Sequence, residues 1–359
     1  MEVLVSLKKL TTKPMDKLFI LDFNTTNPIG FEWACLLTKS GRDIEYVYKN
    51  ISAIPANSLP KLRETKWNDF SSKYIFKNSK NIIFLPWLPP RKEFFKLLKT
   101  VYQLRAHSIL WLDHNPTIDR SVSGIALQFL RKTENKKFIR IVHESVKDVF
   151  ESGNTHILPH PIFFNYVSNR ILNKVNINKV PNILYFGRIC IQKGADLLPE
   201  ILSNLDNFLN LEKIKLEFTV IGQINSLEPE LLKALKDLNL NSIDLKLKVH
   251  STQIPEQELL NELIRCDLVF APYRNITESG TASLAIALSK PVFFVSSSIP
   301  SSLDNPSIRE LVSRFDLNSN FIPDLVKAVT RKNKELDKNL IADFQSQYIS
   351  SFNKLLDFQ

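Results

Sequence analysis

Short apolar runs recur down this chain with room for one helix between each pair, and that alternation restricts the fold more than any other feature. Residues 17–23 (KLFILDF) read as a buried strand, 24–30 as a turn, 31–39 as a helix and 43–48 as a second strand, which makes a β-α-β opening. Further strands are expected at 81–86, 108–113 and 138–143, with helices at 91–105 and 122–131. Residues 153–181, rich in turn and polar residues and carrying His160-Pro161 and Pro181, read as a crossing into a second domain. The pattern then restarts. Strands are expected near 183–186, 215–221, 245–249, 267–271 and 291–295, with helical stretches that include 229–238, 256–264 and 341–356.

A chain of 359 residues with 44% apolar residues can fill two cores of this kind. Its three cysteines, Cys35, Cys190 and Cys266, lie far apart, which points to a reducing compartment without disulfides or a zinc site. No apolar run approaches the roughly eighteen residues of a spanning helix, and Lys8-Lys9 is followed by polar residues rather than a signal-peptide core. A cytoplasmic protein is expected.

Two segments carry the chemistry. In YFGRICIQKG, residues 185–194, a strand is expected to break at Gly187, with Arg188 and Lys193 in the loop that leads to a helix at 195–202. Two cations at a strand's carboxyl end suit a phosphate, since ligands of doubly wound sheets bind there; solvated loop charges are the plain alternative. In VFAPYRNITESGTASLAIALSKPVFF, residues 269–294, a strand and a turn lead to Glu278-Ser279-Gly280-Thr281, which opens an Ala/Leu-rich helix. Free amides at that start favour an anion, while Thr277 or Ser279 as an ordinary cap is the competing account.

Together the segments resemble the donor half of GT-B glycosyltransferases of family 4. Gly187-Arg188 and Lys193-Gly194 match its G-R-x(4 or 5)-K-G, and Pro272, Glu278, Gly280 and Ser289-Lys290-Pro291-Val292 match its second motif. The chain departs where the family often has the second glutamate of E-x7-E, six residues before the lysine of Lys-Pro-Val. Leu284 stands there, and Ser279 to Ala285 (SGTASLA) resembles a branch that lacks that glutamate. The resemblance implies an α/β architecture of the GT-B type, two Rossmann-like doubly wound parallel-sheet domains facing across a cleft. Residues 1–165 would form the acceptor side, 166–340 the nucleotide-sugar side, and 341–359 a helix crossing back to the first domain.

The same resemblance implies roles. Gly187, Arg188, Lys193, Ser279, Gly280 and Thr281 would hold the donor, and Glu278 would orient its sugar. His114, after the strand ending at Asp113, would approach the donor sugar, with Asn115 as a substrate contact and either Asp113 or Asp119 as the acceptor base. Gly30 would let the backbone approach the diphosphate, or is an ordinary turn glycine. His143 is expected to orient a loop, and His160 to mark the domain junction. A UDP- or GDP-sugar donor and a glycan or lipid-linked acceptor follow, with retention at the anomeric carbon. No Asp-x-Asp occurs in the chain, so no metal and no other cofactor is expected, and cations with helix amides must neutralise the leaving diphosphate.

Charge is uneven. Residues 1–160 carry 25 Lys and Arg against 15 Asp and Glu, whereas residues 161–359 carry 22 against 22. An anionic partner for the first half is therefore expected: a membrane leaflet at the cytosolic face, an acidic acceptor or nucleic acid. The helix expected at Arg91–Arg105 has an apolar stripe flanked by lysines, which suits a membrane surface or a core with solvated edges. Nucleic acid is disfavoured, because no helix-turn-helix, zinc-finger spacing or aromatic RNA-binding signature occurs. A non-catalytic sugar-nucleotide or glycan binding protein on the same fold is the second reading, prompted by Leu284.

Overall fold

A computed structural model describes residues 17–23, 28–48, 62–67, 82–86, 108–113, 138–142, 155–170, 180–224, 229–274, 279–295, 299–316, 320–331 and 336–357. It comprises two compact units, one of Met1–Val142, Val149–Leu158 and Gln347–Gln359, the other of His143–Asp148 and Pro159–Ser346.

The first unit holds one wholly parallel sheet of β1 (Leu18–Asp22), β2 (Ile44–Tyr48), β3 (Leu62–Lys66), β4 (Ile82–Leu85), β5 (Ser108–Asp113), β6 (Phe138–Val142) and β7 (Thr155–Ile157). Their spatial order is β3-β2-β1-β4-β5-β6-β7. All five residues of β1 and all four of β4 are buried, as expected of central parallel strands. The helix Ile29–Lys39 is buried from Ile29 to Thr38. Its Trp33 meets Phe84 edge-on at 6.3 Å, and Tyr348 and Phe352 at 6.3 and 5.4 Å. Those last two residues come from the final helix, Lys338–Asp357, whose Asn353 also accepts from Arg42 at 2.7 and 3.1 Å.

Strand β3 has no apolar alternation in its sequence, LRETK. The ladder to β2 and a Thr65 hydroxyl donating to Glu45 at 2.8 Å hold it at the sheet edge, where charged residues are expected.

The second unit repeats the plan with β8 (Asn182–Ile189), β9 (Leu216–Ile224), β10 (Ile243–His250), β11 (Leu268–Ala271), β12 (Val292–Val295) and β13 (Val312–Phe315). These are again all parallel, in the order β10-β9-β8-β11-β12-β13. In both sheets the strand order reverses beside the first strand, between β1 and β4 and between β8 and β11. With right-handed crossovers, that reversal puts helices on both faces and leaves a crevice at the carboxyl ends. Phe218, Phe270, Phe293 and Phe321 form an aromatic core, with Phe315 stacked on Phe293 at 4.5 Å. The helix Leu198–Glu212 adds Leu198, Leu202, Leu205 and Leu209 to it.

Three details differ from the sequence reading. Strand β8 does not stop at Gly187. Its ladder continues, Gly187 opposite Gly222, Arg188 opposite Gln223 and Ile189 opposite Ile224, because β9 runs equally far. Arg188 thus belongs to the strand. The helix expected at 195–202 begins only at Leu198, after 3-10 turns at Ile191–Lys193 and Ala195–Leu197. The two units meet in sequence at Leu158 and Pro159, before the expected 165, because the helix Phe164–Ser168 packs in the second unit through Phe164 against Phe344 at 6.2 Å and Tyr166 on Glu256.

Candidate donor site

In the second unit the two motifs converge at the carboxyl edge of neighbouring strands. Gly187 has φ +124°, a conformation open to glycine and costly for other residues. A Cβ built there would lie 3.6 Å from the Thr281 hydroxyl, so residues 94 positions apart in sequence are packed together. Arg188 is exposed, and its carbonyl accepts from the Tyr185 hydroxyl at 3.1 Å. The Lys193 ammonium lies 3.8 Å from the centroid of the Tyr273 ring. Gly194 turns left-handed with φ 69°, and its Cα is pressed on the Pro272 carbonyl.

The helix Gly280–Ala287 starts at this edge. Ser279, 1% exposed, caps it by accepting from the Ala282 amide at 3.1 Å. The first amides, of Gly280 and Thr281, have no acceptor inside the helix and point along the positive end of its dipole. Gly280 abuts the Phe163 ring, and Ser283 lies 3.3 Å from His160 Nδ1. His160, expected only to mark the junction, is thus packed on the helix Gly280–Ala287, with Nδ1 also 3.0 Å from the Pro161 carbonyl. That contact and Tyr273 were missed. The Pro-Tyr-Arg run directly after β11 was the available signal.

Gly30 lies in the first turn of its helix, and the space a side chain would need is filled by the Asp22 carboxylate, 2.3 Å from a built Cβ. Asp22, the last residue of β1, is buried and accepts from the Tyr46 hydroxyl at 2.6 Å. Asp113 ends β5. His114, Asn115, His143, Glu278 and the helices expected at 91–105 and 122–131 lie outside the described residues. Leu284 is buried, 7% exposed. The lysine of Ser-Lys-Pro-Val has a structural task, donating to the carbonyls of Ile264 at 2.8 Å and Cys266 at 2.7 Å. Among the described residues no group of three or more His, Cys, Asp or Glu could hold a metal ion, and no helix is long and apolar enough to cross a membrane.

Two parallel doubly wound units of this kind make the GT-B fold. Solved structures of that fold match along nearly the whole chain. A mutant of TarM from S. aureus in complex with Fondaparinux, alpha-GlcNAc-glycerol and UDP gives a TM-score of 0.53 at 12% identity, covering 95% of this chain and 97% of that one. An E. coli structure described as trehalose-6-phosphate bound with UDP-2-fluoro glucose gives 0.54 at 11%, covering 94% and 96%. A UDP-forming alpha,alpha-trehalose-phosphate synthase from Burkholderia xenovorans in complex with glucose-6-phosphate gives 0.55 at 9%, covering 95% and 99%. In sequence, the chain is 28% identical over 130 residues to the GDP-mannose:glycolipid 4-beta-D-mannosyltransferase of Xanthomonas campestris pv. campestris. That match covers 36% of this chain and 33% of the curated relative, so the chain spans about a third of its length. No protein-family model matches.

Proposed function

We propose that this chain is a glycosyltransferase that moves a sugar from a UDP- or GDP-sugar to a glycan or lipid-linked acceptor, with retention and without a metal ion. The observation that carries this is the meeting of the motifs at one sheet edge, where Gly187 packs on Thr281 beside Arg188 at the end of β8 and Lys193 in the turn that follows. Breaking the bond between sugar and diphosphate leaves negative charge on the departing oxygen. Arg188, Lys193 and the amides of Gly280 and Thr281 are the groups we assign to meet it, and contacts to the donor sugar are assigned to Glu278 and His114. Acceptor contacts are assigned to Asn115 and Asp113, and the first helix turn at Gly30 to the diphosphate side.

The donor and acceptor classes draw support from the relatives. The Xanthomonas protein is named for a GDP-sugar and a glycolipid, and the TarM complex holds UDP. Placement at the cytosolic face of a membrane rests on the charge excess of residues 1–160. Flotation with phosphatidylglycerol vesicles at low salt tests it, and protein that stays behind argues against it.

The activity is tested by incubating UDP- and GDP-sugars with the protein and measuring nucleotide release and glycan transfer. Arg188→Ala and Lys193→Ala are each expected to slow transfer about a hundredfold, the effect of removing roughly 3 kcal/mol of transition-state stabilisation. Unchanged turnover in both variants refutes the site. Nucleotide binding with no turnover of any donor would favour the binding-protein reading. A product of inverted anomeric configuration overturns retention alone.

A further inference from the structure

Three consecutive residues after β11 grip the loop after β8. The Pro272 carbonyl occupies the position that a Cβ on Gly194 would need, only 1.7 Å away. The next residue, Tyr273, offers its ring face to the Lys193 ammonium at 3.8 Å. The third, Arg274, is ion-paired with Asp196. The parallel neighbours β8 and β11 bring these loops side by side, so one contact follows another along both chains.

Tyr273 is the informative member. It is 2% exposed and braced edge-on by Phe294 at 6.2 Å, so its ring cannot swing. Its hydroxyl is buried without a hydrogen-bond partner among the described residues. A buried hydroxyl left unpaired is unfavourable, so the position is not explained by a polar contact inside the fold. What the ring does is hold a cation, and among the described residues Lys193 has no carboxylate ion-paired to it. A lysine stem has many rotamers, and an ammonium that samples them all meets an anion in few. A fixed aromatic face narrows the choice electrostatically.

We infer that Tyr273 is a positioning residue that presets Lys193 for an anionic ligand, through the face of its ring rather than its hydroxyl. The inference rests on the nucleotide-diphosphate reading given above, and it assigns to the Pro-Tyr-Arg run a task that neither motif states. Orientation before binding spares the ligand the cost of ordering the lysine.

Calorimetric titration of UDP, GDP and inorganic pyrophosphate into the full chain tests it. Tyr273→Leu is expected to weaken binding roughly fivefold to tenfold, and Tyr273→Phe, which keeps the ring, to restore most of that loss. In a Lys193→Ala background, Tyr273→Leu should add nothing further, because the two act as one unit. A merely structural role would add its loss in both backgrounds. Equal binding by the leucine variant, the same loss without Lys193, or no recovery with phenylalanine each overturns the inference while leaving the function standing. Wild-type protein that binds none of the three probes overturns both. Thermal melting qualifies every variant. Should the leucine variant not fold, Tyr273→Met, of similar reach and without a ring, takes its place in the same cycle.

Discussion

Gly194 and Gly280 flank the same edge and answer to different demands. At Gly194, positive φ and the Pro272 carbonyl 1.7 Å from a built Cβ forbid any side chain. Gly194→Ala is therefore expected to cost about 3 kcal/mol or more, read as a large fall in melting temperature, because the obstacle is backbone. At Gly280 a Cβ would meet, among the described residues, the Phe163 ring at 3.6 Å, ordinary van der Waals contact. No described residue requires a glycine there. Gly280→Ala should leave the melting temperature close to the parent's and lower nucleotide affinity, since a methyl would cover the first helix amide. Equal affinity for UDP and GDP in that variant would remove the helix start from the proposed site.

The helix Gly280–Ala287 is short, and its apolar residues surround it rather than lining one face: Ala282, Leu284, Ala285 and Ile286 are all buried. Packing rather than propensity holds it, so its amino terminus depends on the Ser279 cap and the His160–Ser283 contact. Ser279→Ala is expected to cost about 1 kcal/mol, measured by urea denaturation, and to weaken nucleotide binding as the first turn frays. Stability equal to the parent's would mean that the cap contributes nothing. At its other end, Ser289 adopts φ 57° and its hydroxyl accepts from the Leu336 amide at 3.0 Å. Lys290 meanwhile closes the carboxyl end of the helix Glu256–Arg265 through Ile264 and Cys266. The Ser-Lys-Pro-Val run, legible as part of a functional motif, thus serves as a brace between elements.

For the molecule as a whole, alkaline pH is the informative variable. Burial pushes the Cys266 thiol up from 9.0 to about 12, and burial followed by the hydrogen bond to Glu256 raises the Tyr166 phenol above its ordinary 10.0. Both folded-state values exceed the unfolded ones, so above pH 9 the unfolded chain loses protons that the native chain keeps. Stability should hold below pH 9 and fall as pH rises from there towards 12, by at most about 1.4 kcal/mol per pH unit for each group. Urea denaturation at pH 8 and 10.5 measures it, and Cys266→Ala should make the decline shallower; a flat profile in the parent would refute the account. The sequence by itself determined the alternation of elements and the two-unit parallel plan, because continuous apolar runs such as LFILD and LVFA carry their burial locally. Strands β3, β7 and β13 escaped it, being short or polar and dependent on partners distant in sequence, the ladder beside each and contacts such as Phe315 on Phe293. Tertiary structure alone decided that Gly187 rests on Thr281, that His160 reaches Ser283 and that Tyr273 lies under Lys193. Those pairs are set by which strands become neighbours, and strand order is a property of the whole sheet.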